Sequence, residues 1–374
     1  MKIAYLGIKG LPSKGGAERV VEGIAQWLAD RHELTVYCDR RYTPADVHMP
    51  GIRLIRVPTL PGKHLRPLSL FVASALHAFF MGDYDLIHIH NAEACFVLPL
   101  LRLRYPVVAT SHGQAYTRDK WSRVAKFLLQ LTDLFFVQFP NILTSVSLPL
   151  AQEYREQFRK QVHYIPNGVD DASIVDLEAA TRTLQASGVT GEYVLFAAGR
   201  MDPTKGCHLF LQAWRQIQQE GLQAVVVGDD STVPAYSEEL RKMADVSVRF
   251  IPFIHSKPEL MGIVQSARLF VFPSTVEAMS MMLLEAASLG TPIVCSDIPA
   301  NTSVLPEQAL YFRSGDVDDL VEKLRWALSH PEEMKRLGRS AQEWVKARFS
   351  WKRIAEQYDQ LYQIARRKNE HSLR

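Results

Sequence analysis

The strongest constraint on this chain is a pattern that occurs twice. Strand-like runs of three to six residues alternate with helical stretches, first over one half of the sequence and then over the other. In the first half the runs fall at 2–6, 34–38, 52–57, 86–90, 107–110, 142–145 and 162–165. Between the first two, residues 15–30 carry Val20, Val21, Ile24, Ala25 and Leu28 at helical spacing. The second half repeats the scheme with runs at 193–197, 224–227, 248–250, 269–272 and 293–295. Its helices are expected over 206–219, 277–289 and 317–329, the second of them closed by Gly290 and Pro292. Strands joined by helices pair in parallel, so the expected class is α/β with doubly wound parallel sheets.

Pro166-Asn167-Gly168 is a turn signal, and the following stretch to Glu192 holds no strand-like run. The expected division is therefore 1–180 and 181–349, followed by an amphipathic helix over 350–368. A length of 374 residues suits two ordinary domains better than one, and 47% apolar content can fill two cores. Disorder is expected only in the tail after about 366.

Cys38, Cys95, Cys207 and Cys295 are far apart and form no CxxC pair, which suggests neither a zinc site nor a disulfide framework and fits a reduced, cytoplasmic protein. The opening MKIAYLGIKG is too short in apolar length for a signal peptide and reads as a first buried strand. Residues 68–81 and 127–139 are strongly apolar, but neither suits a membrane span. Net charge is +3 overall, unevenly spread. Residues 1–170 hold 20 Lys+Arg against 14 Asp+Glu, a balance of +6, which leaves −3 for the rest. That is too little for a nucleic-acid partner, yet compatible with an anionic acceptor or membrane surface.

Five features could carry chemistry. Gly15-Gly16 precedes the first long helix; the pair allows either a flexible connection or close approach of backbone amides to an anion. The spacing from Gly7 to Gly16 fits neither GxGxxG nor a P-loop. Gly199-Arg200 leaves a strand and Lys205-Gly206 precedes a helix, a diphosphate clamp if the two cations converge and a charged surface loop otherwise. Glu277 and Glu285 lie eight residues apart. With Glu277 at the helix start they would stand about 12 Å apart along the axis, too far to flank one glycosidic bond. They would suit two ends of one long ligand; taken alone, they read as two charges on a partly exposed helix. His112 follows a strand in Ser111-His112-Gly113, where α/β folds gather ligands, and His90 ends the preceding strand, where a structural hydrogen bond is the better reading. Finally, 63–66 (KHLR) and 120–126, running into Phe127, mix basic and apolar residues as either a lipid-facing surface or a helix with a solvated edge.

Six segments occur in a telling order: LPSKGGAERVV, VVATSHG, VHYIPNGVD, GRMDPTKG, VFPSTVEAMSMMLLEA and GTPIVCSD. Over nearly its whole length the chain resembles family 4 of the retaining glycosyltransferases, which have the GT-B fold: two Rossmann-like domains facing a central cleft. The resemblance implies that Arg200 and Lys205 bind the donor diphosphate, that Glu285 binds the ribose, and that Glu277 binds the transferred sugar. It implies that the backbone at Met279, Ser280 and Met281 approaches sugar and phosphate. It also places Gly15 and Gly16 toward the diphosphate from the other domain, His112 beside the donor sugar, and Phe253 and Ile254 against the nucleobase. His112, Glu277, Arg200 and Lys205 become the catalytic candidates. Two segments depart from the family pattern: Ala278-Met279-Ser280 stands where Gly-Phe-Gly is frequent, and Gly228-Asp229-Asp230 where Gly-x-Gly is frequent.

The implied reaction moves a sugar from a nucleotide diphosphate to an acceptor hydroxyl with retention, by a front-face route, without metal or cofactor, the nucleotide sugar being a co-substrate. Closure of the domains would bring Gly16 and His112 onto the donor. The implied acceptor is a glycan or lipid-linked sugar, in polysaccharide or glycolipid assembly at the inner face of the cell membrane. Three rival readings share the two-domain shape: a sugar-nucleotide 2-epimerase, a pyridoxal-phosphate phosphorylase, and a non-catalytic sugar-nucleotide sensor.

Overall fold

The computed structural model describes residues 1–62, 65–113, 123–170, 174–217, 221–231 and 233–372. The chain forms two compact units, Met1–Gly168 with Trp351–Arg374, and Val169–Ser350.

In the first unit the chain runs β1 (Lys2–Leu6), α1 (Gly16–Leu28), β2 (Glu33–Asp39), β3 (Ile52–Val57), α2 (Leu65–Met81), β4 (Leu86–His90), α3 (Leu98–Leu101), β5 (Val107–Ser111), α4 (Arg123–Gln138), β6 (Ile142–Ser145), α5 (Leu148–Phe158) and β7 (Val162–Tyr164). All seven strands are parallel, in the order β3-β2-β1-β4-β5-β6-β7. The order reverses between β1 and β4, the point where a crevice opens at the carboxyl ends of a doubly wound sheet. There the two strand ends lock together. Gly7 has φ +88°, and a Cβ on it would lie 1.9 Å from the His90 carbonyl oxygen, so only glycine fits. The Asn91 side-chain amide donates back to the Gly7 carbonyl at 2.8 Å.

The second unit runs α6 (Leu177–Ala186), β8 (Tyr193–Ala198), α7 (Cys207–Trp214), β9 (Gln223–Gly228), α8 (Pro234–Met243), β10 (Val248–Ile251), α9 (Lys257–Ser266), β11 (Leu269–Phe272), α10 (Met281–Ser288), β12 (Ile293–Ser296), α11 (Pro299–Thr302), β13 (Leu310–Phe312), α12 (Val317–Ser329) and α13 (Pro331–Arg348). Its sheet is parallel in the order β10-β9-β8-β11-β12-β13, reversing between β8 and β11. The core beneath it is apolar and includes Phe196, Phe210, Trp214, Val226, Val271 and Leu320.

Several boundaries differ from the sequence expectation, each for a local reason. The second unit begins at Val169, not at 181, because α6 packs on α9. Thr183 donates to Glu259 at 2.6 Å, and the Asp176 N–H donates to the Pro258 carbonyl at 2.9 Å. The helix expected over 206–219 ends at Trp214. The helix expected from 277 starts at Met281, since Ser280 caps it by accepting from the Leu283 N–H at 3.3 Å. The short strand β13 carries no sequence signal of its own.

The final helix, α14 (Trp351–Ser372), belongs to the first unit. It extends beyond 366, where a disordered tail is expected from sequence. Its packing explains its length. Trp351 is buried over Gly23 of α1 and over Gly168, where any Cβ would come within 2.5 Å of the indole. Tyr358 and Tyr362 are fully buried and hydrogen-bonded into the sheet: Tyr362 OH meets His88 Nδ1 at 2.7 Å and Tyr5 OH at 3.2 Å. A second tie joins His32 Nε2 to Asp359 Oδ1 at 2.9 Å.

Among the described residues no helix is long and apolar enough to cross a membrane. α2 nevertheless turns an apolar face outward. Leu65, Leu68, Val72, Leu76 and Phe80 recur at steps of three and four and are all exposed, as is Met81.

Candidate functional site

The residues singled out from sequence divide between the units: Gly15, Gly16, His90, His112 and the two basic patches in the first, and Arg200, Lys205, Phe253, Ile254, Glu277, Met279, Ser280, Met281 and Glu285 in the second.

In the first unit, Gly15 caps α1 without a side chain. Glu18 folds back over it to accept from the Lys9 N–H at 3.2 Å, and a Cβ on Gly15 would lie 2.5 Å from that carboxylate. Gly16 is different: nothing lies within 4 Å of where its Cβ would be. The backbone there is open to approach at the N-terminus of a thirteen-residue helix. His112 follows β5, and its Nε2 is hydrogen-bonded to His90 Nδ1 at 2.8 Å with the rings stacked. His90 thus makes the structural bond expected of it. Burial pushes the His112 imidazole down to about 4 and holds His88 and His90 well below the usual histidine range. All three are neutral at physiological pH.

In the second unit, the loop from Gly199 to Gly206 doubles back beneath the end of β11. Gly206 has φ +74°, and a Cβ on it would lie 2.2 Å from the Pro273 carbonyl oxygen. The Thr275 N–H donates to the Thr204 carbonyl at 2.8 Å, and Asp202 caps the turn at Pro203–Lys205. This close approach brings Lys205 to Glu277, with Nζ 2.7 Å from Oε1 and both side chains mostly buried. Glu277 therefore lies in the loop before α10 and not on it, so the 12 Å axial separation expected from helical geometry does not apply. Met279 is buried, Ser280 is the cap, and Met281 is the first helical residue. Ser280 and Met281 stand at the helix start, where backbone N–H groups point out of the helix. Arg200 is exposed, and among the described residues its side chain makes no hydrogen bond or ion pair.

Glu285 sits within α10 at 4% exposure. Lys257, the first residue of α9, holds it with Nζ 3.2 Å from Oε1 and also pairs with Asp170. Ile254 lies in the loop that leads into α9, so one short segment carries both the expected base contact and the cation on Glu285. Beside it a cavity of about 200 Å³ opens at the carboxyl ends of β8, β9 and β10. Its lining includes Gly228, Asp230, Arg241, Phe250 and Pro252. Arg241 pairs with Asp230 at 2.7 Å and lies over the Phe250 ring. The cavity meets Ile251 and Pro252, just short of Phe253 and Ile254.

Sequence reasoning missed Lys257. It stands at a helix start like many solvated lysines, and nothing local distinguishes it. Lys63 and His64 of the first basic patch, and 120–122 of the second, lie outside the described residues.

Known proteins resemble this chain over nearly its whole length. The family model for Glycosyl transferases group 1 matches residues 182–344, and that for Glycosyltransferase Family 4 matches residues 14–173. The MMP α-(1→4)-mannosyltransferase of Mycolicibacterium hassiacum is 25% identical over 98% of each chain. Two solved structures share the fold. Sucrose-phosphate synthase from Thermosynechococcus elongatus has a TM-score of 0.80 at 22% identity, covering 97% of this chain and 98% of that one. Anabaena HepE in complex with UDP-glucose has a TM-score of 0.79 at 22% identity, covering 96% and 99%. Both have the GT-B architecture of two parallel-sheet α/β domains.

Proposed function

This chain belongs to the family 4 glycosyltransferases, and we propose that it transfers a sugar from a nucleotide diphosphate to an acceptor hydroxyl with retention of configuration. The observation that carries the proposal is the arrangement along α10. Glu277 meets Lys205 just before the helix start, and Glu285 meets Lys257 within the helix. The two carboxylates would hold the two ends of one donor, Glu277 the sugar and Glu285 the ribose. Arg200, Lys205 and the amides at Ser280 and Met281 would take up the charge that grows on the leaving diphosphate. Supplying that charge from the protein makes the reaction independent of metal and of any cofactor.

Glu277 is engaged by a lysine, which suits a ligand of the sugar better than a nucleophile. In the proposed route the departing phosphate takes the acceptor proton on the front face, and the anomeric configuration is kept. His112 and Gly16 are the first unit's candidate contacts to the donor; His112 is neutral and suits a hydroxyl or phosphate oxygen. The related mannosyltransferase and the UDP-glucose complex support a hexosyl donor. The direct test is the proton NMR spectrum of the glycosylated product made from an α-linked donor in excess chelator. An α-linked product is expected; a β-linked product would overturn retention, and loss of turnover in chelator would overturn metal independence.

The acceptor we propose is a glycan or lipid-linked sugar reached at the inner face of the cell membrane. Support comes from α2, whose exposed apolar face is roughly 22 Å long from Leu65 to Phe80 and whose sequence holds no acidic residue. Together with the positive balance of this half of the chain, that face suits an anionic lipid surface. Vesicles of phosphatidylglycerol and phosphatidylcholine should sediment the protein, and the Leu76→Asp/Phe80→Asp double variant should stay in the supernatant. Failure of the unaltered chain to bind would remove the proposal.

A further inference from the structure

We infer that His90 is a positioning residue that fixes the tautomer of His112, so that His112 presents its Nδ1–H at the carboxyl end of β5. His90 is fully buried, with its ring centroid 4.0 Å from that of His88 on one side and 5.1 Å from that of His112 on the other. Its Nδ1 lies 2.8 Å from His112 Nε2, while its Nε2 is buried with no hydrogen-bond partner among the described residues.

Each neutral imidazole carries one proton, and burial disfavours a second on either ring. Two arrangements satisfy the bond between them. In one, His112 Nε2–H donates to His90 Nδ1. The proton of His90 then sits on Nε2, a buried N–H with no acceptor. In the other, His90 Nδ1–H donates to His112 Nε2. The unused atom on His90 is then a bare lone pair, and the proton of His112 sits on Nδ1. Orphaned buried N–H groups are rare, whereas an under-used acceptor is better tolerated. The second arrangement is therefore favoured, by roughly tenfold or more.

The neighbouring strand position keeps His90 in place. His88, on the same face of β4, is bonded at both nitrogens, to Tyr362 OH at 2.7 Å and to Thr110 Oγ1 at 2.6 Å. Tyr362 belongs to α14, so the last helix braces the ring that His90 packs against. With Nε2 engaged by His90, His112 offers one N–H donor to an incoming oxygen and no basic nitrogen for proton abstraction. This consequence rests on the reading of His112 as a donor contact; the tautomer does not.

The test is a long-range proton–nitrogen NMR spectrum of the full chain labelled with ¹⁵N-histidine, without ligand, with His112 assigned by its loss in His112→Gln. The expected pattern is a protonated Nδ1 and an unprotonated Nε2. His90→Asn, whose amide can donate from the place of Nδ1, should keep that pattern, and His90→Leu should shift His112 toward the Nε2–H form. A protonated Nε2 in the unaltered chain overturns the inference, as does an unchanged pattern in His90→Leu. If His90→Leu does not fold, the spectrum of the unaltered chain decides alone. The expected tautomer together with full turnover by His112→Gln would sink the donor-contact reading and leave the tautomer assignment standing.

Discussion

Arg200→Ala is expected to weaken binding of the nucleoside diphosphate roughly 10- to 100-fold while leaving the stability of the free protein within about 0.5 kcal/mol of its original value. The two halves of this expectation come from one observation. Arg200 is exposed and has no intramolecular partner among the described residues, so its removal breaks nothing in the fold. A charged hydrogen bond to the ligand is worth about 1.5–3 kcal/mol, and only the complex would lose it. Glu285→Ala should lower affinity by a similar factor but behaves differently in the free protein. Glu285 is almost fully buried against Lys257, and removing it leaves that lysine with Asp170 alone. Lys257 is 34% exposed, so that variant loses packing and an ion pair without leaving a charge buried. Lys205→Ala costs the fold more, because it strands the mostly buried Glu277 carboxylate. Titration calorimetry with the preferred nucleoside diphosphate, beside a thermal melt of each variant, separates the two effects. Unchanged affinity in Arg200→Ala and in Glu285→Ala would remove these residues from the donor site.

Acidification should destabilise the first unit through its buried histidines. The sign follows from the direction of the shift. Burial lowers His112 from 6.5 to about 4, so the folded state binds its proton less readily than the unfolded chain. Stability from the neutral imidazole is complete above about pH 6.5 and is lost as pH falls toward 4. For His112 alone the loss between pH 7 and pH 5 is about 2 kcal/mol, or roughly 4–8 °C in Tm for a unit of this size. His88 and His90 are shifted in the same direction. Asp39 acts with the same sign: burial alone would raise it, but the Arg41 N–H, Arg66 and Thr59 outweigh burial and hold it low. Scanning calorimetry of the unaltered chain and of His112→Gln at pH 7 and pH 5 checks this. The unaltered chain should lose the larger share, and equal losses in both would show that His112 is not held neutral by the fold.

The sequence makes the two-unit α/β plan legible because most of the buried parallel strands are rich in apolar residues, and every strand-like run of four or more read from the sequence corresponds to a strand. What it hides has physical causes. Helix α6 marks the start of the second unit, yet only its packing on α9 assigns it there, and packing has no local signature. The start of α10 moved from 277 to 281 because Ser280, not Glu277, makes the cap bond. That shift changes the role of Glu277 from one end of a helix to the partner of Lys205, 72 residues earlier in the chain. Such long-range pairs as Lys205 with Glu277 and Lys257 with Glu285 depend on Gly206 meeting the Pro273 carbonyl and on the loop before α9, contacts that spacing alone does not reveal.

The most direct test of the donor-site account is a thermal-shift screen of the full chain against UDP, GDP, ADP, dTDP and their common sugar conjugates, with chelator present. At about 100 times its dissociation constant, a nucleotide that binds the folded state adds roughly 2.7 kcal/mol of stability. One base should give such a shift, with and without its sugar. No shift with any nucleotide at millimolar concentration, or a shift that requires added metal, would contradict it.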